Sequence, residues 1–259
     1  MNKTAIEWTD FTWNPVTGCY HGCKYCYARR ISHRFLREYD RRMIMQNMIL
    51  KCSTETKLGR IWEIDDYIYD GNLRKTAHPF GFEPTFHGYR LDEPKERKKP
   101  AKIFVSSMGD LFGEWVPDEW IERVNDVIRN CPKHTFQFLT KNPVRYYDWI
   151  DKFPKNIWMG ASADNANDAH CRSDTLGFMG GRVKFLSLEP LLEDVADYID
   201  YDGIDWIIIG AQTGPGAKQP MAEWVQGVIN HCRENNKAIF LKDNLEWPEK
   251  IQEFPVFLQ

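Results

Sequence analysis

Short apolar runs recur along the later part of the chain, at Ala101–Ser107, Thr135–Thr140, Ile157–Ala163, Val183–Leu188, Asp205–Gly210 and Ala238–Lys242. Runs of strand length with little polar alternation suit strands buried on both faces of a parallel sheet. Helix candidates lie between them, at Pro117–Asn130, Pro143–Lys152, Glu193–Tyr198 and Ala222–Asn235. The first opens with Pro117-Asp118-Glu119, a helix start marked by proline and early acidic residues. A further strand before Cys19 brings the expected total to about seven. The alternation predicts an α/β fold of repeated βα units with right-handed crossovers. Local pattern does not separate a barrel from a doubly wound sheet.

Residues 28–100 interrupt this rhythm. Ala28–Leu50 reads as helical, with seven Lys or Arg from Lys24 to Arg42 against Glu38 and Asp40. Residues 52–90 carry Gly, Pro, His and many aromatics with no clear period. The expectation is one domain over 1–259, with 52–100 as an insertion or lid that has some structure of its own. A length of 259 residues, 42% hydrophobic content and 27% charged content fit such a globular chain.

No stretch approaches the ~18 apolar residues of a membrane span. The run at Trp206–Ile209 stops at Gly210, and the N-terminus has no apolar signal region. A cytoplasmic protein without a membrane partner is therefore expected. In that reducing setting the 7 cysteines are thiols or metal ligands.

Three of them, Cys19, Cys23 and Cys26, crowd into one short loop, while Cys52, Cys131, Cys171 and Cys232 stand singly, as small core residues usually do. Gly18 and Gly22 give the loop freedom to wrap a bound group. Zinc would want a fourth ligand, and His21 lies awkwardly inside the loop. A cubane iron–sulfur cluster with one open iron satisfies the same three thiolates. Both readings fit the spacing, and the cluster fits better.

The Cys-x3-Cys-x2-Cys pattern with Tyr25 before its last cysteine resembles the signature of the radical S-adenosylmethionine (SAM) superfamily. That resemblance implies a [4Fe-4S] cluster on Cys19, Cys23 and Cys26, SAM on the open iron, and Tyr25 beside the adenine. It also implies a partial (β/α) barrel of about six or seven parallel strands, with an insertion after the cluster loop. An electron donor such as flavodoxin or ferredoxin is implied too. The segments 4–10, 13–19, 104–112 and 185–191 are similar to a phage and prokaryote radical SAM-like family, related in its cysteine loop to spore photoproduct lyase. A phage-encoded member would work in the bacterial host cytoplasm.

In α/β barrels the chemistry sits at the C-terminal strand ends. Ser106-Ser107-Met108-Gly109-Asp110 stands where the superfamily often has Gly-Gly-Glu for the SAM amino group. It departs from that pattern, leaving Ser106, Ser107 and Asp110 as candidate acceptors against a plain serine turn. Lys141 is a candidate for the SAM carboxylate, or a solvated loop lysine. Ser162 and Asn165 are candidates for the ribose hydroxyls, against turn initiation. Ser187 and Glu189 face one side of a strand, and an acid at the end of a buried strand needs a partner or a function, so both are catalytic candidates. Gln212, in the glycine-rich turn 210–216, is a candidate contact to adenine or substrate. Lys242 and Asp243 close the last strand as further candidates.

Net charge is −3, but local patches decide electrostatics. The basic run after the cysteines and the aromatics Trp62, Tyr67, Tyr69, Phe80, Phe82, Phe86 and Tyr89 fit a phosphate backbone with a stacked base, or equally a solvated helix beside an ordinary core. A radical made inside a barrel reaches a base only after the base leaves its stack. The expectation is radical modification, rearrangement or repair of a nucleobase in DNA, thymine-type bases favoured. The rivals are a radical SAM enzyme of a small metabolite or peptide, and a non-catalytic Fe–S or zinc protein.

Overall fold

The computed structural model describes residues 1–34, 53–69 and 73–256. The chain folds as two compact units, Met1–Thr4 with Asp10–Thr135 and Ala5–Thr9 with Phe136–Gln259. Each is built differently.

The strands of the first unit are β1 (Asn2–Lys3), β2 (Phe11–Trp13), β3 (Val16–Thr17), β4 (Ser53–Thr56), β5 (Gly59–Ile64), β6 (Thr85–His87) and β7 (Lys102–Val105). Its helices are α1 (Tyr27–Arg34), α2 (Glu93–Glu96) and α3 (Asp118–Arg129). β2 runs parallel to β7, and β1 lies antiparallel on the outer side of β2. The strand expected before Cys19 is thus β2. A second, four-stranded sheet has the order β3-β6-β5-β4 and is mixed in direction. Its strands come largely from the segment without a clear period. The reason it was unreadable is visible in the sequence of β4, Ser-Thr-Glu-Thr, which has no apolar face.

Burial sorts the aromatics of this segment. Trp62, Phe80 and Phe86 are completely buried, with Trp62 stacked on Phe80 at 3.7 Å between ring centroids. Tyr67 and Tyr69 remain exposed. Core packing therefore accounts for Trp62, Phe80, Phe82 and Phe86. The helical expectation for Ala28–Leu50 holds as far as Arg34, and its remainder, with Cys52, lies outside the described residues.

The second unit carries β8 (Thr135–Thr140), β9 (Ile157–Ser162), β10 (Lys184–Leu188), β11 (Trp206–Ile209) and β12 (Ala238–Leu241), with α4 (Ala166–Gly177) and α5 (Ala222–Glu234). The five strands lie side by side in chain order and all run parallel. Every residue of β11 is fully buried, as expected for a strand covered on both faces. Register sets Gly160 beside Phe185 and Phe185 beside Trp206. Trp8 packs on the same rings, 6.0 Å from Phe185 and 6.3 Å from Trp206. Burying a side chain such as Phe185 contributes about 1.5–3 kcal/mol.

The helix expected at Ala222–Asn235 is α5, whose buried residues Val225, Val228, Ile229 and Cys232 follow the i, i+3, i+4, i+7 spacing of an amphipathic helix. α4 was not predicted. Its sequence, ANDAHCRSDTLG, buries only Ala169, Ser173 and Leu176, too narrow a stripe to read as amphipathic. The segments expected as helices at 143–152 and 193–198 are 3-10 turns, Pro143–Asp148 and Ala196–Tyr198. Cys131 and Cys232 are buried, as single thiols usually are, whereas Cys171 is exposed on α4.

The absence of a side chain at Gly160 makes room for Phe185. A Cβ there would stand 2.2 Å from the ring, inside the core. Gly160→Ala is expected to destabilise the fold by about 1–3 kcal/mol through overpacking. Urea unfolding should show a lower midpoint at an unchanged slope.

Candidate functional site

In the first unit, chemistry gathers where β2 and β7 end. β7 passes into the turn 106–110, and the cysteine loop is bonded to it. The Gly18 N–H donates to the Met108 carbonyl at 2.8 Å, and Gly18 bridges Gly109 in parallel register. The Cys19 N–H donates to the Phe82 carbonyl at 3.2 Å. Gly18 has φ +82°, and a Cβ there would lie 2.3 Å from the Glu83 carbonyl oxygen. No L-residue with a side chain fits that approach.

Two side-chain bonds complete the attachment. Tyr27 Oη donates to the Ser107 carbonyl at 2.6 Å. His21 Nε2 lies 2.7 Å from Asp110 Oδ2, with its ring edge-on to Trp115 at 4.9 Å. The other Asp110 oxygen accepts the Phe112 N–H at 2.9 Å. His21 thus fixes the loop from within.

Cys19, Cys23 and Cys26 are free, half-buried thiols. The His21 N–H donates to Cys19 Sγ and the Arg29 N–H to Cys26 Sγ, both at 3.4 Å. Backbone N–H groups aimed at sulfur favour the thiolate. Burial, followed by the charge of Asp110, nevertheless pushes the Cys19 thiol far above its ordinary value. The His21 N–H opposes this rise, and Cys23 and Cys26 add to it as neighbouring charges. A bound cationic centre would reverse the balance, since coordination deprotonates a thiol outright. Among the described residues no group of three or more His, Cys, Asp or Glu side chains is arranged to hold a metal ion. A cubane does not ask for one, because its three thiolates bind three different irons. The donor set and its N–H donors fit such a cluster.

Ser106, in this turn, carries backbone strain. It is a buried serine with φ +58°, and its hydroxyl has no hydrogen-bond partner. The left-handed conformation costs an L-residue about 1–2 kcal/mol. Such outliers persist where the surroundings over-determine them, often at functional sites. Ser107, by contrast, donates from Oγ to Asn14 Oδ1 at 3.1 Å.

The second unit has its own polar group at its strand ends. Lys242 Nζ and Glu189 Oε2 form an ion pair at 2.8 Å. Glu189 Oε1 accepts from Ser187 Oγ at 3.0 Å and from Trp8 Nε1 at 3.2 Å. Ser162 is the register neighbour of Ser187, so both point to one face. Burial disfavours the charge on Lys242, but Glu189 and then Glu7 outweigh it and hold the ammonium above its ordinary value.

Other candidates are engaged elsewhere. Lys141 pairs with Asp164 at 2.8 Å. Asn165 is the N-cap of α4, accepting the Asp168 N–H at 2.9 Å, so the turn-and-cap alternative accounts for its side chain. The Ser162 carbonyl is held by Arg172, and Gln212 accepts the Lys218 N–H at 3.4 Å. Tyr25 is half-buried in the loop turn. Sequence reasoning missed Trp8, which is remote in sequence from Glu189, and gave His21 no structural role. A cleft of about 470 Å³ beside Trp62 and Trp120 carries Glu63 and Asp65, both ion-paired to Arg123.

Two substitutions separate structural from chemical roles in this turn. Asp110→Ala strips partners from His21 and the Phe112 N–H and should cost about 1–3 kcal/mol in chemical denaturation. Ser106→Gly loses no hydrogen bond and relieves the backbone, so it should hold or raise stability by about 1 kcal/mol.

The fold has known counterparts. Two structures of spore photoproduct lyase, a cysteine-to-serine mutant and a double mutant with bound AdoMet and dinucleoside spore photoproduct, are similar to it. Each aligns with a TM-score of 0.52 at 9% identity, covering 93% of this chain and 78% of the lyase. The likeness lies in a mixed α/β fold with a large, mostly parallel sheet. No curated protein matches in sequence. The family described as protein of unknown function (DUF5131) matches residues 3–254, and this chain belongs to it.

Proposed function

We propose that this chain is a radical SAM enzyme acting on a nucleobase in DNA, with thymine-type bases favoured. The observation that carries this reading is the cysteine loop, three free half-buried thiols with backbone N–H groups directed at two of their sulfurs. The likeness of fold to spore photoproduct lyase supports it, and one of those lyase structures holds AdoMet together with a dinucleoside photoproduct. The parallel strands are read here as the partial (β/α) barrel of that superfamily.

On this reading Cys19, Cys23 and Cys26 hold a [4Fe-4S] cluster. Bound there, the cluster and SAM would supply radical hydrogen-atom abstraction, with the one electron it needs coming from a flavodoxin or ferredoxin. The chain's own residues bind and orient. Asp110 acts through His21 to hold the cysteine loop in place. The Arg29 guanidinium donates to the Cys19 carbonyl at 3.4 Å, which brings positive charge to a loop that becomes anionic when loaded. The Ser106 hydroxyl and Tyr25 are assigned to SAM, and Glu189 with Ser187 to the substrate. Positioning and exclusion of water are the protein's contribution, because a free radical reacts with whatever hydrogen donor lies nearest.

Anaerobic reconstitution with iron and sulfide should load about four of each per chain. Cys23→Ala should lose most of that iron together with the visible charge-transfer absorption. With dithionite and SAM, the loaded wild type should release 5′-deoxyadenosine. Iron binding without this product would turn the reading into a non-catalytic Fe–S protein. Deuterium passing from thymine-labelled DNA into 5′-deoxyadenosine is the outcome expected for the substrate. Labelled DNA, RNA and nucleosides that all give none would remove the nucleobase.

A further inference from the structure

The Glu189–Lys242 pair stands at the ends of β10 and β12. Register places it. Leu188 pairs with Ile209 and Ile209 with Leu241, so the next row holds Glu189, Gly210 and Lys242. Gly210, between them, has no side chain, and a Cβ there would meet Lys242 Cδ at 3.0 Å and Glu189 Cγ at 3.1 Å. The two charged side chains lie over that glycine. Below them on the same face the strands present Phe185, Trp206 and Phe240, and Trp8 packs on the first two.

Both members are mostly buried, with side-chain exposures of 18% and 20%. An ion pair this far from water is weak evidence for stability, because desolvation offsets much of its attraction. The remaining exposure leaves each group reachable. Counting valences shows what it offers. The carboxylate has about four lone-pair sites and three donors, Ser187 Oγ, Trp8 Nε1 and Lys242 Nζ. The ammonium has three N–H donors, and the bond to Glu189 uses one of them. A charged donor and an ionised acceptor thus stand side by side. A planar ligand edge that carries a carbonyl beside an N–H complements them, the carbonyl on Lys242 and the N–H on Glu189. The turn 210–216 beside it is exposed from Thr213 onward.

We propose that Lys242 and Glu189 together recognise the ring imide edge of a pyrimidine base, a carbonyl next to N3–H, as in thymine and uracil. This rests on the nucleobase reading above and names the residues that select the base. Lys242 is then a specificity-determining residue, with Ser187 and Trp8 orienting the carboxylate.

The test is equilibrium binding of thymidylyl-thymidine and its N3-methylated form to the reconstituted, SAM-loaded protein, by calorimetry. N3-methylation should weaken binding about tenfold or more, since it removes the ligand's donor and sets a methyl group against the Glu189 carboxylate. Lys242→Met should weaken the unmethylated ligand to a similar degree, and the two changes together should fall short of additive. Lys242→Met leaves a mostly buried carboxylate without its counter-ion and can unfold the protein, which circular dichroism reports. The ligand-side comparison stands without that variant. Equal binding of both dinucleotides, or of neither, overturns the inference. SAM cleavage by the wild type is scored separately. If cleavage occurs and methylation makes no difference, the edge assignment fails and the radical SAM reading stands. If cleavage is absent and methylation still discriminates, the edge assignment stands and the radical SAM reading fails.

Discussion

Three backbone segments meet at Gly18, and the candidate cofactor site depends on that meeting. The Gly18 N–H donates to the Met108 carbonyl, a Cβ on Gly18 would run into the Glu83 carbonyl, and a Cβ on Gly109 would lie 2.8 Å from the Gly18 carbonyl oxygen. A side chain at either glycine would push the segments apart. The cysteine loop, the turn after β7 and the stretch at 82–83 then share one geometry. Anything that binds the thiols is held against the turn containing Ser106 and Asp110. The strain at Ser106 belongs to the same arrangement, since its N–H is drawn to the Trp13 carbonyl at 2.7 Å as β2 and β7 end together.

The second unit solves a different problem. Its five parallel strands bury nearly everything, so polar groups are tolerated where strands end and find partners there at once. Glu189 collects Ser187, Trp8 and Lys242, and Lys141 collects Asp164. Buried charge of this kind is costly unless it is paired. The pairs differ in setting. Lys141–Asp164 continues into the cap of α4 through Asn165, which donates to Asp164 Oδ1 at 2.7 Å, whereas Glu189–Lys242 lies above a glycine beside an open turn. The first organises a helix start, and the second presents a surface.

Likeness of fold carries only part of the functional argument. A shared scaffold hosts many reactions, and 9% identity says nothing about substrate. What distinguishes this chain is the set of three half-buried thiols and the N–H groups aimed at two of them.

The apolar runs declared their strands because a strand buried on both faces has to be continuous in sequence. Thr135–Thr140 was legible to the residue. The cysteine spacing was legible for a similar reason, since ligands close in space on a loop are close in the chain. α4 was not, because its three buried residues leave no stripe, and neither was the four-stranded sheet, where β4 has no apolar face. Sequence alone determined the parallel α/β architecture and the three thiols, both set by local pattern. Only tertiary structure decided that His21 braces the loop and that Glu189 meets Trp8 and Lys242. The partners of His21 and Glu189 are far apart along the chain, and only the tertiary fold brings them within hydrogen-bonding distance.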